Sequence, residues 1–469
     1  MNGNPLRVLA VLALVGLAVA LLLWGRSRPS ASHAAAAVVA DGAGSSPLAA
    51  PRSVLVLDID TLRADRLGAY GNQRLTSPTI DALAAEGYRF AWAFSQAPLT
   101  PPSQASILTG KYPSTHGVVG RGRRLSGEHV TLAEAFRWRG FRTAGFVDGG
   151  YMNRGFGTAQ GFQTFVDRRT GLEKIGPQVV SWLEENGDEP FFMLVHTYDV
   201  HTPYDPPPEY RSLFLDGLEA PTPGFEPTSE ALEAVRRAVW WDPEARLPER
   251  DVHYSLALYD AGIRYVDDWV GRFLDTLEEL GLRDSTLVVV ISDHGEEFQE
   301  HGSVLHEKLY TPVTHIPLIL SFPGWQRSAV VTQTVQSIDL MPTLLDLIDA
   351  PIPKGVQGRS LVPLMEGRDT GEYPAFSESR LFGRQRTVAW GRFRFHYTIR
   401  GALTELFDFR ADPLELQPLP EDDPRRLSLM RRALADWDDQ LRAAPPPSTG
   451  VAKVRSETRD QLRALGYLQ

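Results

Sequence analysis

The sequence predicts an α/β fold in which helices cover both faces of a largely parallel sheet. Short apolar runs such as "SVLVLDID" (53–60), "FRTAGFVDG" (141–149) and "TLVVVISD" (286–293) are typical of buried strands. Segments with helical periodicity separate these runs, as expected for crossover connections between parallel strands. The hydrophobic fraction of 43% and the charged fraction of 23% are those of a globular protein, so we expect the chain to fold.

The N-terminus is expected to direct export. Residues 8–25, "VLAVLALVGLAVALLLWG", form an uncharged apolar run, flanked by arginines, that is long enough to cross a bilayer. We assign residues 1–28 to a signal anchor or signal peptide, and residues 29–50, rich in Ala, Ser and Gly, to a flexible linker. If the run is retained, the protein is anchored in a membrane facing the periplasm or the cell exterior. If it is cleaved, the protein is secreted.

The rest of the chain divides into two predicted regions. Residues 51–370 contain the strands and helices of the main fold, and the proline-rich residues 202–250 are expected to run over its surface. Beyond residue 370 the pattern changes. Residues 386–399 alternate like an antiparallel hairpin, and 423–444 have the periodicity of an amphipathic helix. We therefore predict a small C-terminal α+β subdomain over residues 371–469.

Composition excludes several classes of function. The net charge of −10 and the lack of a long basic run argue against a nucleic-acid partner. The chain has no cysteine, so disulfides, thiolate metal sites and cysteine nucleophiles are excluded.

Polar side chains follow two of the predicted strands at their carboxyl ends. The first strand ends on Asp58 and Asp60, which face the same way, and a later strand is followed by Asp293 and His294. Ligands bind beyond the carboxyl ends of parallel strands, so these groups are candidates for one divalent cation site. An isolated Asp after a strand is usually a turn or a helix cap, but two such strand ends in one sheet favour a metal site.

The stretch "LTPPSQASILTG" (99–110) predicts a short helix with strong end signals. Thr100 is predicted as its N-cap, Pro101 as its first residue and Gly110 as its C-terminal stop. This capping role alone explains the sequence. The same position would hold the Thr100 hydroxyl at the positive end of the helix dipole, where bound metal would make it a nucleophile toward an anionic ester.

Two histidine-rich segments supply further candidates. His196, Asp199 and His201 follow the strand at 191–195, and His301, His306 and Lys308 follow the Asp293–His294 pair. Such groups contact anionic substrates or protonate leaving groups, although single loop histidines are often incidental.

These blocks, in this order, resemble the sulfatase family of the alkaline phosphatase superfamily over nearly the whole chain after the linker. The similar blocks are "VLDIDTLRADRLGAYG", "LTPPSQASILTGKYPSTHG", "FFMLVHTYDVHTPYDPP", "TLVVVISDHGEEFQEHG" and the C-terminal "LRALGYL". The resemblance implies a mixed sheet sandwiched by helices. It implies metal ligands at Asp60, Asp293 and His294 together with the oxygen of the nucleophile Thr100, a substrate contact from His201, and a position for His306 where relatives often have a substrate-binding Lys or His. We assign catalytic roles to Thr100, His201 and His306, and substrate contacts to His196, Gln104 and Lys308. Asp58 and Thr61 are weaker ligand candidates.

The sequence departs from the sulfatase pattern at the nucleophile. Many sulfatases oxidise a Cys or Ser at this position to formylglycine, whose hydrated aldehyde releases sulfate by elimination. Thr100 and Gln104 occupy the formylglycine and arginine positions here, and the Lys-x-His pair is missing from "AGFVDGGYMNRG". A phosphothreonine, in contrast, is resolved by in-line attack at phosphorus.

We therefore predict a metal-dependent hydrolase that cleaves sulfate or phosphate esters through Thr100, with phosphoester or phosphodiester chemistry favoured. The expected cofactor is one or two divalent ions, Ca²⁺ or Zn²⁺, or else Mn²⁺ or Mg²⁺. The expected partner is a small-molecule, glycan or lipid ester. The alternative is a catalytically silent protein of this fold that binds anionic glycans or lipids at the cell envelope.

Overall fold

The computed structural model describes residues 48–168, 170–239, 241–242, 244–325, 327–381, 384–398, 404–420, 423–443, 449–452, 454–465 and 467. The predicted signal segment 1–28 and most of the linker 29–50 lie outside these residues. In the part that is described, no helix combines the length and apolarity needed to cross a membrane.

The described strands are, in chain order, β1 (Ser53–Ile59), β2 (Tyr88–Phe94), β3 (Arg123–Leu125), β4 (Arg142–Val147), β5 (Thr164–Asp167), β6 (Phe191–Thr197), β7 (Thr286–Ile291), β8 (Glu297–Phe298), β9 (Val304–Leu305), β10 (His315–Ile316), β11 (Leu318–Ser321), β12 (Ala329–Gln336), β13 (Ala375–Ser379), β14 (Gln385–Trp390), β15 (Phe393–Thr398), β16 (Thr404–Asp408) and β17 (Thr449–Val451). Nine of these strands form the main sheet, in the order β10-β2-β11-β7-β1-β6-β4-β5, with β12 also paired to β2.

The described α-helices are α1 (Pro78–Glu86), α2 (Thr100–Thr109), α3 (Pro113–His116), α4 (Leu132–Trp138), α5 (Gly171–Asn186), α6 (Pro208–Leu215), α7 (Ser229–Val239), α8 (Glu249–Glu279), α9 (Thr311–Thr314), α10 (Leu340–Leu347), α11 (Val362–Met365), α12 (Pro424–Ala443) and α13 (Ser456–Ala464). Short 3-10 helices span Ala64–Arg66, Gly68–Tyr70, Gly150–Met152, Arg154–Phe156, Arg283–Ser285 and Ser337–Asp339.

The main sheet has a hydrophobic core on each face because side chains alternate along its strands. Leu55 and Leu57 of β1 pack with α1, α5 and α8 on one face. Val54 and Val56 pack with α2, α4 and α10 on the other face. Because both faces are covered, β1 is buried along its whole length and its sequence is almost uninterruptedly apolar.

The sheet is mixed, as the family resemblance implied. β4, β5, β6, β1 and β7 are parallel, whereas β11 is antiparallel to both β7 and β2. Antiparallel neighbours such as β7 and β11 need no crossover helix between them, and only the short elements β8, β9, α9 and β10 separate these two strands. The predicted strands at 53–60, 141–149 and 286–293 are confirmed as β1, β4 and β7.

The predicted C-terminal α+β subdomain is present. Strands β13 to β16 form a four-stranded antiparallel sheet. Helix α12 packs its Met430, Leu434 and Trp437 against Phe395 of that sheet. After α12, β17 pairs with β3, so the last segment of the chain returns to the main domain.

Candidate active site

Three neighbouring parallel strands deliver the candidate site residues to one edge of the sheet. β1 pairs with β6 on one side and β7 on the other, and Asp58 lies opposite His196 in this register. The Asp60 N–H donates to the Thr197 carbonyl at 3.1 Å, which extends the β1–β6 pairing by one residue. The spacing of these side chains is therefore set by backbone hydrogen bonds of the central sheet.

Helix α2 brings Thr100 to the same edge, but not as an N-cap. Leu99 is the N-cap, and Thr100 is the first helical residue. The predicted capping role is wrong because no N–H is left for the Thr100 hydroxyl to accept from. Pro101 and Pro102 have no N–H, and the Ser103 N–H donates to the Leu99 carbonyl. The prediction of Gly110 as the helix stop is confirmed, since its φ of 64° is left-handed.

The Thr100 hydroxyl is instead directed into the acidic cluster. It donates to Asp60 Oδ2 at 3.2 Å and lies 3.4 Å from His294 Nε2. The side chain is fully buried, at 0% exposure. One turn later, the Ser103 hydroxyl donates to the Asp293 carbonyl at 2.5 Å, which ties α2 to the end of β7.

The tautomer of His294 leaves one ring nitrogen facing the cluster. Its Nδ1–H donates to the Gly295 carbonyl at 3.0 Å, so Nε2 carries the lone pair. Nε2 lies 3.4 Å from Asp293 Oδ2. Each of Asp60, Asp293 and His294 offers one ligand atom, and these atoms lie within 4.8 Å of one another. These three atoms could hold a metal ion, with His294 oriented by its second ring nitrogen.

The turn after β1 is strained where it touches this cluster. Thr61, a β-branched residue, has a φ of 58°, a value that such residues rarely adopt. Its N–H donates to Asp293 Oδ1 at 3.4 Å, and the Tyr259 hydroxyl donates to its carbonyl at 2.7 Å. The surrounding structure thus holds the turn in place beside the site.

The carboxylates of the site lack the partners that buried charges need. Among the described residues, both oxygens of Asp58, Oδ1 of Asp60 and Oδ2 of Asp293 accept no hydrogen bond, and the side-chain polar atoms of His196 and Gln104 form none either. Within the described residues, no Arg or Lys forms an ion pair with any of the three carboxylates; the groups nearest to them are imidazoles, with His196 Nε2 3.5 Å from Asp60 Oδ2 and His294 Nε2 3.4 Å from Asp293 Oδ2. Unpaired buried carboxylates are costly, so these residues fit a bound divalent cation.

The pKa values of the site carboxylates are raised because the carboxylates are buried and, among the described residues, paired with no Arg or Lys. Burial raises the pKa of Asp58 to about 7, although His196 lowers it. Burial also raises the pKa of Asp60 to about 7 against the opposing influence of His294, and it raises the pKa of Asp293 well above its usual value. Burial lowers the pKa of His294, which keeps its Nε2 available as a ligand.

His306 lies beside His294, and His201 lies beside His306. The ring centroids of His201 and His306 are 5.2 Å apart, and the His306 ring lies 4.4 Å from that of His294. His306 Nδ1 lies 3.0 Å from Glu296 Oε1. The hydroxyl of Tyr467, near the C-terminus, lies 2.6 Å from His201 Nε2 and 3.2 Å from His306 Nε2.

Three residues that the sequence marked as candidates for the site make their described contacts with other parts of the protein. Lys308 donates to the His301 carbonyl and pairs with Glu297 at 3.7 Å. Asp199 accepts from the Leu172 N–H, and the His301 ring stacks on Tyr310. The described contacts of these residues are therefore structural, and the substrate role of Lys308 stays a prediction.

Three further side chains line the site without having been predicted. Glu296 orients His306, Arg121 lies over the Tyr467 ring, and Tyr467 itself reaches both histidines. Glu296 could have been considered from its place in "SDHGEE". The other two have no local sequence signal, because only long-range packing brings them to the site.

Comparison with known proteins gives the same fold over most of the chain. The family model "Sulfatase" matches residues 52–350, and the model "N-sulphoglucosamine sulphohydrolase, C-terminal" matches residues 299–436. An arylsulfatase of Clostridium perfringens is 26% identical, with 82% of this chain and 93% of that protein covered.

Two solved structures share the architecture. A protein solved with its substrate D-glucosamine-2-N,6-O-disulfate has a TM-score of 0.71 and 19% identity, over 85% of this chain and 99% of that one. The phosphonate monoester hydrolase of Agrobacterium radiobacter has a TM-score of 0.68 and 23% identity, over 84% and 95%. With the family model covering more than half of its length, this chain belongs to the sulfatase family of the alkaline phosphatase superfamily and is an ester hydrolase.

Proposed function

We propose that this protein is an exported, metal-dependent hydrolase that cleaves phosphate or sulfate esters through Thr100, with phosphate esters favoured. The observation that carries the proposal is the buried Thr100 hydroxyl, 3.2 Å from Asp60 Oδ2 and 3.4 Å from His294 Nε2. A hydroxyl in the first turn of a helix, beside a carboxylate that accepts its proton, is placed for nucleophilic attack on an anionic ester.

Asp60, Asp293, His294 and the Thr100 oxygen would hold the cation, with Asp58 beside them. A divalent ion bound there lowers the pKa of a hydroxyl and neutralises charge on the transferred group. Carboxylates suit Ca²⁺, Mg²⁺ and Mn²⁺, and a set that includes imidazole also suits Zn²⁺. Because Asp58 adds a third carboxylate, metal analysis has to distinguish one equivalent from two.

The reaction proceeds in two balanced steps. In the first, the Thr100 oxygen attacks phosphorus as the bond to the leaving oxygen breaks. Asp60 accepts the threonine proton, and His306 protonates the leaving oxygen through Nε2. In the second, water attacks phosphorus as the bond between phosphorus and the Thr100 oxygen breaks, His306 takes a proton from the water, and Asp60 returns its proton to the Thr100 oxygen as phosphate departs. His201 lies beside His306 and would bind the leaving group.

Phosphorus is favoured because Thr100 cannot become formylglycine. A threonine sulfate would have no aldehyde from which sulfate could be eliminated, so its hydrolysis would require a second attack at sulfur. Gln104 also leaves the site without a guanidinium on that side, and its amide has no partner. Its amide would donate to an oxygen of the transferred group, and His196 would contribute from the end of β6.

The natural substrate is expected outside the cytoplasm. The apolar run at residues 8–25 supports export, either as a retained membrane anchor or as a cleaved signal. A glycan, lipid or small-molecule ester of the cell envelope or its surroundings would be accessible there.

The test compares nitrophenyl monoester, diester and phosphonate substrates with nitrophenyl sulfate, each with Ca²⁺ or Zn²⁺ and with chelator. Thr100→Ala should reduce turnover at least 1,000-fold, on the order expected for loss of a nucleophile. Thr109→Ala is the matched control, since its hydroxyl lies in the same helix and donates to the Ala105 carbonyl. Full activity in Thr100→Ala, or activity that survives chelation, would overturn the proposal. A phosphoryl adduct on the peptide containing Thr100 would support it directly.

A further inference from the structure

The C-terminal segment is seated on the main domain by specific contacts. Strand β17 pairs with β3, and α13 then packs against the 3-10 helix Gly150–Met152. Leu462 of α13 is buried against Tyr151 and Phe156. These contacts carry the chain from the C-terminal subdomain to the rim of the active site.

Gly150 shows how closely this segment fits. Its φ is +55°, and a Cβ there would lie 2.9 Å from Leu465 Cδ1 and 3.0 Å from the Tyr198 ring. Its N–H donates to Gln461 Oε1 at 3.2 Å. A side chain at position 150 would displace the tail, so the surface beneath it is shaped to receive it.

The hydrogen bonds of Tyr467 define the role of each histidine. His201 Nδ1 lies 2.5 Å from the Thr202 carbonyl and donates to it, so Nε2 accepts the Tyr467 proton. The phenol proton is thus directed to His201, and the phenol oxygen lies 3.2 Å from His306 Nε2. That oxygen therefore sits where a leaving oxygen would receive a proton from His306.

The ring of Tyr467 fills the remaining space. The Arg121 guanidinium lies 5.1 Å from its centroid, and the Tyr151 ring lies 4.7 Å away. The cavity bordered by Arg121, His201, His306 and Leu465 has a volume of only about 10 Å³, roughly enough for one water molecule. Thr100 is fully buried. With the tail in this position, an ester cannot place its leaving group beside His306.

We infer that Tyr467 is an internal occupant of the leaving-group subsite, that this subsite takes a phenolic leaving group, and that the tail must move out before an aryl ester binds. The inference rests on the proposed function. Aromatic selectivity follows from the two ring contacts, a cation over one face and a neighbouring tyrosine, together with two imidazoles at the hydroxyl.

The activity test uses the full-length, metal-loaded protein and a nitrophenyl ester. Tyr467→Ala should raise kcat/KM at least tenfold, mainly by lowering KM, because an internal competitor is removed. Tyr467→Phe should show a smaller gain, since it keeps the ring and loses the hydrogen bonds. Tyr397→Ala is the matched control, a tyrosine on β15 that is 40% exposed. A fall in kcat/KM, or no change, for Tyr467→Ala would overturn the inference.

Inhibition by free alcohols tests the aromatic preference. Phenol should inhibit Tyr467→Ala at least tenfold more strongly than cyclohexanol of similar size, and wild type should resist both. Leu462→Ala, which loosens α13 without touching the subsite, should become sensitive to phenol as well. Equal inhibition by phenol and cyclohexanol would overturn the aromatic assignment.

Hydrogen–deuterium exchange separates this inference from the proposed function. In Thr100→Ala, a variant designed to lack turnover, nitrophenyl phosphate should accelerate amide exchange in residues 456–465 at least fivefold, and cyclohexanol should not. If neither wild type nor any variant turns over the ester, but nitrophenyl phosphate still accelerates amide exchange in residues 456–465, the proposed function fails and displacement of the tail is supported. If turnover occurs and exchange does not respond, the tail is a fixed structural element and the inference fails.

Discussion

Asp58→Asn should stabilise the metal-free protein, contrary to the usual effect of changing a buried polar residue. Neither carboxylate oxygen of Asp58 has a partner in hydrogen-bond geometry among the described residues, and burial raises its pKa from 3.8 to about 7 against the smaller opposing influences of His196 and Gln104. At about 1.4 kcal/mol per pH unit, this rise corresponds to about 4 kcal/mol. Above pH 7 the folded state bears the full cost of ionising Asp58, whereas the unfolded chain ionises it without cost.

The sign of the pH dependence follows directly. A carboxyl group whose pKa is higher in the folded state contributes stability below its unfolded pKa, and that contribution is lost as pH rises through the folded pKa. The gain from Asp58→Asn should therefore approach about 4 kcal/mol at pH 8 and fall to roughly 2 kcal/mol or less at pH 5. Urea denaturation of chelator-treated protein at the two pH values measures both gains.

Asp267→Asn is the matched control. Asp267 is equally buried, but its two oxygens accept the Thr79 and Ile80 N–H groups at 3.0 and 2.8 Å. Burial raises the pKa of Asp267 to about 6, but Asn would place an amide N–H against one of these donors at a cost of about 1–3 kcal/mol, so this variant should gain much less than Asp58→Asn at pH 8. If Asp58→Asn is destabilising at pH 8, or equally stabilising at both pH values, the carboxylate has a partner and the reasoning fails.

Three other expectations follow from the geometry. The melting temperature of chelator-treated wild-type protein should fall from pH 5 to pH 8, because burial raises the pKa values of Asp58 and Asp60 to about 7. Added Ca²⁺ should raise the melting temperature most at pH 8, and parallel curves with and without Ca²⁺ would contradict this prediction. Glu296→Gln should lower kcat roughly tenfold or more and alter its pH profile, because Glu296 holds His306 Nδ1; an unchanged profile would remove that positioning role. Gly87→Ala should cost about 1–3 kcal/mol in urea denaturation, because its Cβ would lie 2.3 Å from the Leu320 carbonyl oxygen. Gly271→Ala in α8, with only ordinary contacts, should gain about 0.5–1 kcal/mol, and equal effects at the two glycines would contradict the clash.

The sequence predicted the elements whose burial is uniform. β1 and β7 are buried on both faces, so they appear as continuous apolar runs, and the acidic residues after them mark the edge of the sheet. β2 was not predicted, although it pairs with β10, β11 and β12. Its sequence "YRFAWAF" includes Arg89, and it follows α1 with only Gly87 between them. No periodicity distinguishes such a short strand from the helix before it.

The residues that form the site were predicted better than their surroundings. Asp60, Asp293, His294 and Thr100 lie together because strand ends and a helix start converge, which local patterns reveal. The absence of an Arg or Lys partner for Asp58 among the described residues could not be predicted, since it depends on which distant side chains fold around the site. Tyr467 reaches His201 across 266 residues of sequence, and no local pattern encodes such a contact.

The pairing of β1 with β6 and β7 allows the ion-binding groups and the leaving-group contacts to change independently during evolution. The carboxylates and the imidazole proposed to hold the ion lie at the ends of hydrogen-bonded strands in the centre of the sheet, whereas the groups proposed to contact the leaving alcohol lie on segments outside it. Exchange of those outlying segments between relatives would change the alcohol accepted while leaving the ion's ligands undisturbed. Substrate range in such a scaffold can diversify without rebuilding the catalytic centre.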